Sequence, residues 1–166
     1  MGTLRRMSSS PVRAARETDL DAMADYAAEL VKLHHGWDAE RYLLVPEVAR
    51  GYRRFFRHEL ADPKAVLAVA EHEGRVVGYV YARFEERDWN ALLDEAGKVH
   101  DIFVDPAVRG RGLAQALLAF VGEALRGLGA KRVVLQVATQ NEPGRALFAR
   151  EGFRTTLIEM TKELSA

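Results

Sequence analysis

The segment that decides the fold runs from residue 99 to residue 114 and reads Val99-His100-Asp101-Ile102-Phe103-Val104-Asp105-Pro106-Ala107-Val108-Arg109-Gly110-Arg111-Gly112-Leu113-Ala114. Its first residues include β-branched and aromatic side chains, which favour a strand, and Pro106 ends that strand. After a turn that contains glycine and arginine, Leu113, Leu117 and Val121 recur at the spacing of an amphipathic helix. The segment therefore predicts a strand, a short loop and a helix in direct succession.

The loop between this strand and this helix has the features of a backbone anion site. The first N–H groups of an α-helix have no partner within the helix and can bind an anion. Gly110 and Gly112 lack a Cβ atom and let a phosphate approach the backbone, while Arg109 and Arg111 add positive charge. On composition alone a solvated basic turn is the better explanation, so a more specific pattern is needed to support a ligand.

Two common phosphate-binding loops do not fit this segment. A P-loop requires the tripeptide Gly-Lys-Ser or Gly-Lys-Thr, which the chain does not contain. The dinucleotide fingerprint requires a third glycine at the position that Gln115 occupies. An enzyme acting on nucleotide phosphates is therefore disfavoured.

Periodicity along the rest of the chain predicts further strands and helices around this segment. The predicted strands are Val12–Arg16, Ala65–Ala70, Val76–Arg83, Lys98–Val104, Arg132–Val137 and Phe153–Leu164. The predicted helices are Thr18–Leu33, Pro46–Leu60, Gly112–Leu128 and Glu142–Arg150, and residues 34–38 are expected to interrupt the first of them. Strands separated by helices indicate a single α+β domain of the α/β three-layer type, with a mixed central sheet.

Composition narrows the chemistry that is available to the chain. A length of 166 residues suits one domain, and the balance of 24 basic and 24 acidic residues argues against a nucleic-acid partner. There is no cysteine, which excludes disulfides, thiolate nucleophiles and cysteine-based zinc sites. His34 and His35 are adjacent and do not face one site on a helix, so we expect no metal.

The bulk sequence also yields expectations about organisation and location. The apolar runs are too short to span a bilayer. Residues 1–10 lack the apolar region of a secretory signal. We therefore expect a flexible tail at residues 1–10, one domain at residues 11–166, no membrane partner and a cytoplasmic location. The acidic run Glu85, Glu86 and Asp88 is interpreted as a solvated loop.

One motif in the segment quoted above resembles a known family. The pattern Arg-x-x-Gly-x-Ala at Arg109, Gly112 and Ala114 follows Asp-Ile-Phe-Val-Asp-Pro. Together they closely resemble the acetyl-coenzyme A (acetyl-CoA) signature of the GNAT family of N-acetyltransferases. This is the more specific of the two motifs that connect the chain to that family.

A second motif lies toward the C-terminus. The run from Asn141 to Phe153 is similar to the family pattern Asn-x-x-Ala-x-x-Leu-Tyr-x-x-x-Gly-Phe. Two positions depart from it, because Gly144 replaces alanine and Phe148 replaces tyrosine. The likeness as a whole extends loosely over residues 12–164.

The resemblance implies a GNAT-like fold, with helices on both faces of the sheet and a splay between two parallel strands that hold the cofactor. It implies direct transfer of an acetyl group from acetyl-CoA, the co-substrate, to a primary amine of a small molecule or peptide. The Ile102 N–H would act as an oxyanion donor. The cofactor-binding positions that it implies are Ile102, Phe103, Val104, Arg109, Gly110, Arg111, Gly112, Leu113, Ala114, Gln115, Asn141 and Phe148.

His100 is the candidate general base. It lies nine residues before Arg109, where members of the family often carry the glutamate or histidine proposed as base. Regular alternation would place its side chain on the face of Ile102 and Val104, and would place Asp101 on the other face in a structural role. An imidazole titrates near neutrality and suits proton transfer from an amine. A polar residue satisfied at the end of the sheet is the alternative interpretation.

Phe148 leaves the general acid unassigned, because phenylalanine has no proton to donate. Tyr79 and Tyr81 on a neighbouring strand are candidate substitutes, and water can also protonate a thiolate leaving group. The same departure supports an alternative function, a binding module that holds an acyl-CoA with little or no catalysis.

The C-terminal segment suggests assembly. The family commonly ends in two strands, whereas Thr155–Leu164 is long enough for one. An unpaired sheet edge promotes pairing with another chain, so we expect a two-fold homodimer. The alternative is a monomer whose edge is protected by Arg154, Glu159 and Lys162.

Overall fold

The structure is a computed structural model that describes residues 10–164. The predicted flexible tail lies, apart from Ser10, outside the described residues. The chain divides into two compact units, Met1–Gln136 and Val137–Ala166. The first unit contains the sheet and three of the helices, and the second contains the fourth helix and the C-terminal segment.

A five-stranded mixed sheet forms the centre of the first unit, with the strands in the order β1-β2-β3-β4-β5. The first four strands are antiparallel neighbours, and β5 is parallel to β4. The strands are β1 (Val12–Ala14), β2 (Ala65–His72), β3 (Arg75–Glu85), β4 (Ala96–Val104) and β5 (Val133–Leu135). The predicted mixed sheet is confirmed, with β5 shorter than the pattern indicated.

The turn between β2 and β3 shows why the sequence pattern located it correctly. Glu73 and Gly74 both adopt positive φ angles, 51° and 75°. A two-residue hairpin turn whose twist matches the flanking strands requires positive φ at both positions, and glycine adopts it at little cost.

Helices cover both faces of the sheet. They are α1 (Leu20–Trp37), α2 (Val48–Leu60) and α3 (Leu113–Gly127) in the first unit and α4 (Glu142–Arg150) in the second. One buried cluster joins α1 and α2 to one face of the sheet, and a second joins α3 to the other face. The first cluster includes Leu20, Met23, Phe56, Tyr79 and Phe103, and the second includes Val80, Val99, Val104, Leu117 and Leu125. The three-layer prediction is confirmed. Within the described residues, no helix combines the length and the apolar character needed to cross a membrane.

Helix α1 continues past its predicted end. The interruption predicted at residues 34–38 is wrong, because the helix runs through His34 to Trp37. The His34 Nδ1–H donates to the Leu30 carbonyl at 2.8 Å, and its ring packs against Trp37 and Tyr42 with centroid distances of 5.1 and 4.9 Å. These contacts outweigh the low helix propensity of histidine and glycine in this stretch.

The last predicted strand is absent from the described structure. Residues 153–164 form neither helix nor strand. Four large apolar side chains in this segment are exposed: Leu157 (77%), Ile158 (74%), Met160 (90%) and Leu164 (86%). The alternation in the sequence is real, but a strand forms only where a neighbouring strand supplies hydrogen-bond partners.

A buried carboxylate fastens α2 to the sheet. Glu59 is 5% exposed and accepts hydrogen bonds from the Tyr81 hydroxyl and from Arg83, both at 2.7 Å. Arg83 also donates to Asp62 at 2.8 Å. Because Glu59, Tyr81 and Arg83 all have hydrogen-bond partners, the buried negative charge of Glu59 is compensated.

Replacing Glu59 with alanine should destabilise the fold by about 3 kcal/mol, since Tyr81 and Arg83 would lose their shared acceptor while remaining partly buried. Urea unfolding monitored by circular dichroism measures this. Glu29→Ala is the matched control, because the pair of Glu29 with Lys32 is exposed and should contribute no more than about 0.5 kcal/mol. Equal losses in the two variants would contradict the structural role of Glu59.

Candidate functional site

The site begins where β4 loses its parallel neighbour. Strand β5 pairs with β4 only from Gly97 to Val99, whereas β3 pairs with β4 along its whole length. The Asp105 N–H donates to the Val77 carbonyl of β3 at 2.8 Å. Because backbone groups alternate in direction along an antiparallel strand, the N–H and C=O groups of Ile102 and Val104 point away from β3. Within the first unit these groups have no strand partner, and this open edge is the predicted splay.

The loop after β4 is held by its own side chains. The Asp105 carboxylate accepts from the Ala107 N–H at 2.9 Å and caps a short 3₁₀ turn. The Arg109 Nε–H donates to the Val104 carbonyl at 3.0 Å, and its guanidinium lies 5.7 Å from the centroid of the Phe103 ring. The sequence predicted that Arg109 supplies charge to an anion. The structure shows that it also ties the loop to the strand.

The glycines of the loop are required by the backbone and leave open space. Gly110 and Gly112 have φ angles of 79° and 75°, a conformation that other residues rarely adopt. A Cβ atom at Gly110 would meet nothing within 4 Å, and one at Gly112 would meet only the Gln115 side chain, at 3.5 Å. Gly112 is also the N-cap of α3 and provides no side-chain cap. The 15-residue helix α3 thus begins at a glycine without a side-chain cap, and its first-turn N–H groups have no partner within the helix, as an anion site requires.

A β-bulge in β4 changes the direction of His100. Tyr81 of β3 pairs with Asp101 and Ala82 pairs with Val99, so His100 is the extra residue. The predicted alternation is therefore wrong for His100, because a bulge interrupts the two-residue period. Its ring stacks on Tyr81, on the face covered by α1 and α2, with centroids 5.1 Å apart. Asp101 also lies on this face, where the alternation predicted it. The bulge therefore places the side chains of His100 and Asp101 next to each other on one face of the sheet.

A carboxylate orients the His100 ring. Nε2 of His100 lies 2.6 Å from Oε1 of Glu85, and because a carboxylate accepts, this nitrogen carries the proton. In a neutral imidazole Nδ1 then holds the lone pair. Glu85 is the last residue of β3 and not part of a solvated loop as we expected. Nothing in its local sequence distinguishes it from Glu86, which pairs with Lys64.

Asp101 is the residue that sequence reasoning undervalued. It is partly buried and accepts a hydrogen bond from the Tyr79 hydroxyl at 3.3 Å. Burial raises the pKa of its carboxyl group, against the opposing effects of His100, the Tyr79 hydrogen bond and His34. The sequence does contain an indication of this burial, because Asp101 is a carboxylate in a strand that continues with the apolar residues Ile102, Phe103 and Val104.

Tyr79 and Tyr81 are poor substitutes for the missing acid. The Tyr81 hydroxyl donates to Glu59 and the Tyr79 hydroxyl donates to Asp101. Burial, followed by these carboxylates, raises the pKa of both phenols well above the ordinary value. Their protons are already engaged, so neither tyrosine is suited to protonate a leaving group.

The remaining predicted contacts, Asn141 and Phe148, lie in the second unit. The Asn141 side chain accepts from the Gly144 N–H at 3.0 Å and caps α4. In this conformation of Asn141, a Cβ atom at residue 144 would collide with the Asn141 side chain. Phe148 is buried and packs edge-on against Phe153, with centroids 5.9 Å apart.

Comparisons with known proteins agree with this geometry. The chain is 28% identical over 144 residues to an uncharacterised N-acetyltransferase of Methanocaldococcus jannaschii, an alignment that covers 86% of this chain and 59% of that protein. It is 26% identical over 165 residues to the aminoalkylphosphonate N-acetyltransferase of Salmonella typhimurium, covering 96% and 97% of the two chains. The chain thus spans less than two thirds of the length of the first relative and nearly all of the second.

The fold is also found among solved structures. The chain superimposes on AAC(6')-Iy in complex with the bisubstrate analogue CoA-S-monomethyl-acetylneamine with a TM-score of 0.73, at 18% identity and with 93% of this chain and 97% of that chain covered. At this identity the likeness establishes the fold alone. The sequence model of the Acetyltransferase (GNAT) family matches residues 23–153, which include the splayed strand, the glycine loop and α4. This match covers most of the chain, and the chain belongs to the GNAT family of acetyltransferases.

Proposed function

We propose that the protein transfers the acetyl group of acetyl-CoA directly to a primary amine of a small molecule or peptide. The observation that carries this proposal is the open edge of β4, which leads directly into the glycine loop at the N-terminus of α3. An extended amide-containing chain can pair with the backbone of Ile102 and Val104 as an added strand would. Its pyrophosphate end would then reach the N–H groups of residues 109–115. Metal is not required by this scheme.

Three groups beside the open edge can serve different steps of the transfer. The Ile102 N–H points into the splay, where it can donate to the thioester oxygen as negative charge develops there. Nδ1 of His100 can accept the proton of the amine as its nitrogen attacks the carbonyl carbon and the C–S bond breaks. Glu85 fixes the tautomer and stabilises the imidazolium that forms, as the carboxylate does in other carboxylate–histidine pairs.

No side chain is assigned to protonate the thiolate. Phe148 has no proton to give, and the hydroxyl groups of Tyr79 and Tyr81 are engaged with carboxylates. A thiolate whose solution pKa is about 8.5 leaves without obligatory protonation, so water suffices. A module that binds acyl-CoA without transfer is the second candidate, and Phe148 is the observation that favours it.

Substitution of Gly112 tests the phosphate site. Gly112→Ala should weaken acetyl-CoA binding about tenfold or more, equivalent to about 1.4 kcal/mol, because a Cβ atom enters the open space above the first turn of α3. Gly74→Ala is the matched control, since its φ angle is also 75° and a Cβ atom there would meet nothing within 4 Å, while one at Gly112 would meet only the Gln115 side chain, at 3.5 Å. Isothermal titration calorimetry measures both affinities. If the two variants bind acetyl-CoA equally well, the loop is not the phosphate site.

The base can be identified from the pH dependence of turnover. His100→Ala should lower turnover about a hundredfold and leave cofactor affinity nearly unchanged, as expected for loss of a general base. The wild-type rate should rise with pH as the base loses its proton, and this inflection should vanish in the variant. An inflection that persists in His100→Ala but disappears in Asp101→Asn would transfer the role to Asp101.

We also propose that the protein is cytoplasmic and forms a homodimer in which the C-terminal segments bury one another. The four exposed apolar side chains of residues 153–164 support the dimer, although the strand that first suggested it is absent. Light scattering at micromolar concentration should give twice the mass of one chain. The triple variant Leu157→Ser, Ile158→Ser, Met160→Ser should be monomeric, whereas Leu43→Ser, at another exposed position, should not change the mass. A monomer mass for the unmodified chain would contradict the dimer.

A further inference from the structure

An unpaired carboxylate lies at the centre of an aromatic surface in the first unit. Asp101 takes part in no ion pair with any of the residues that the structure describes, and it remains partly exposed. The proposed acetyl transfer uses His100 and Ile102 and assigns no role to Asp101. A partly buried carboxylate that has no ion-pair partner is costly in its ionised form, and a cationic ligand would remove that cost.

Aromatic rings from three elements lie on the same side of the sheet as this carboxylate. We call them the aromatic cluster: Tyr52 and Phe55 of α2, Tyr79 and Tyr81 of β3, and His100 of β4. Phe55 packs perpendicular to Tyr81 at 5.3 Å and perpendicular to Tyr52 at 6.4 Å. Tyr52 lies near enough to Asp101 for that charge to add to burial in raising the pKa of Tyr52 to about 12. Phe55 is 41% exposed, so the cluster reaches the protein surface.

The other carboxylates around the aromatic cluster are already compensated. Glu59 accepts from Tyr81 and Arg83, and Glu85 accepts from His100 and lies 3.9 Å from the Lys98 ammonium. Among the described carboxylates around the cluster, Asp101 is therefore the one without an ion-pair partner. A ligand with two or three ammonium groups would have a partner for only one of them.

The aromatic cluster also lacks a site for an anionic group on its α2 side. The arginines of α2 recur at i, i+3, i+4 and i+7, on the side of the helix opposite Tyr52 and Phe55. These arginines are Arg50, Arg53, Arg54 and Arg57. Arg83, which shares the acceptor Glu59 with Tyr81, is held by Glu59 and Asp62. A phosphonate or phosphate on the acceptor would find no cationic partner on the cluster side of α2.

We propose that the acceptor is a monoamine with an apolar alkyl or arylalkyl framework, whose ammonium group binds Asp101 and whose carbon atoms lie against the aromatic cluster. This inference rests on the proposed transfer and adds the class of acceptor. Aromatic faces attract a cation, and the rings also bury apolar carbon atoms. The bound ammonium releases one proton to water, and Nδ1 of the adjacent His100 accepts the second as the amine nitrogen attacks the thioester carbon and the C–S bond breaks to release the thiolate.

Binding of amines to the full chain saturated with CoA tests the inference without requiring turnover. Isothermal titration calorimetry should show phenethylamine and hexylamine binding at least tenfold tighter than spermidine or 2-aminoethylphosphonate. Phenethyl alcohol, which has the same framework without the charge, should bind at least tenfold more weakly than phenethylamine. Tighter binding of spermidine or 2-aminoethylphosphonate would overturn the proposal.

Two variants locate the binding site. Asp101→Asn keeps an acceptor for Tyr79 and should weaken phenethylamine binding at least tenfold, whereas Asp25→Asn, an exposed position on α1, removes the same charge and should have no effect. Phe55→Ala, at an exposed ring position, should weaken phenethylamine binding several-fold and serves if Asp101→Asn does not fold. If a folded Asp101→Asn variant binds phenethylamine with unchanged affinity, the assignment of the binding site to Asp101 is overturned. If Asp101→Asn does not fold, unchanged phenethylamine affinity in Phe55→Ala overturns it instead.

Release of free thiol from acetyl-CoA separates this inference from the proposed function. If phenethylamine binds in an Asp101-dependent manner but no thiol is released, acetyl transfer is refuted and the binding site stands. If spermidine is acetylated with a higher kcat/KM than phenethylamine, acetyl transfer stands and the monoamine assignment is refuted.

Discussion

The functional part of this molecule depends on the unequal hydrogen bonding of the two edges of β4. One edge pairs with β3 along the whole strand, and the other pairs with β5 over only three residues, Gly97–Val99. Beyond Val99 the backbone of β4 keeps its extended geometry because β3 and the two helical layers hold it. Its outward N–H and C=O groups are thereby held rigidly without a strand partner in the same unit. Such preorganised backbone groups are suited to bind an extended ligand and to stabilise developing negative charge.

The bulge at His100 determines the chemistry on the adjacent face. Without it, His100 would lie on the α3 side with Ile102, and Asp101 would be alone among the tyrosines. The extra residue places imidazole and carboxylate next to each other on the face covered by α1 and α2. Glu85 and Tyr81 then hold the ring from two directions. A single inserted residue therefore creates a pair of titratable groups that differ in burial and in hydrogen-bond partners, which allows them to take different roles.

Predictions succeeded where the local sequence contains its own physical reason. Helix α4 has the predicted bounds because Asn141 caps it and Gly152 follows it with a positive φ angle. The Glu73-Gly74 turn and the glycines of the loop between β4 and α3 were found for the same kind of reason. Predictions failed where side-chain packing or the presence of a strand partner decides the local structure. Helix α1 extends through His34 because of rings packed on it from Trp37 and Tyr42, and residues 153–164 form no strand because a strand requires a neighbour.

The sequence by itself determined the family, the order of the main elements and the loop between β4 and α3, since these follow from periodicity, glycine positions and a specific motif. Only the tertiary structure decided which polar side chains meet. The contacts of His100 with Glu85, Asp101 with Tyr79, and Glu59 with Tyr81 join residues 15 to 22 positions apart. Strand register and one bulge decide the first two contacts, and the packing of α2 on the sheet decides the third. The two-residue period of a strand can be read from a sequence, but the point at which a bulge interrupts it depends on the pairing of two strands.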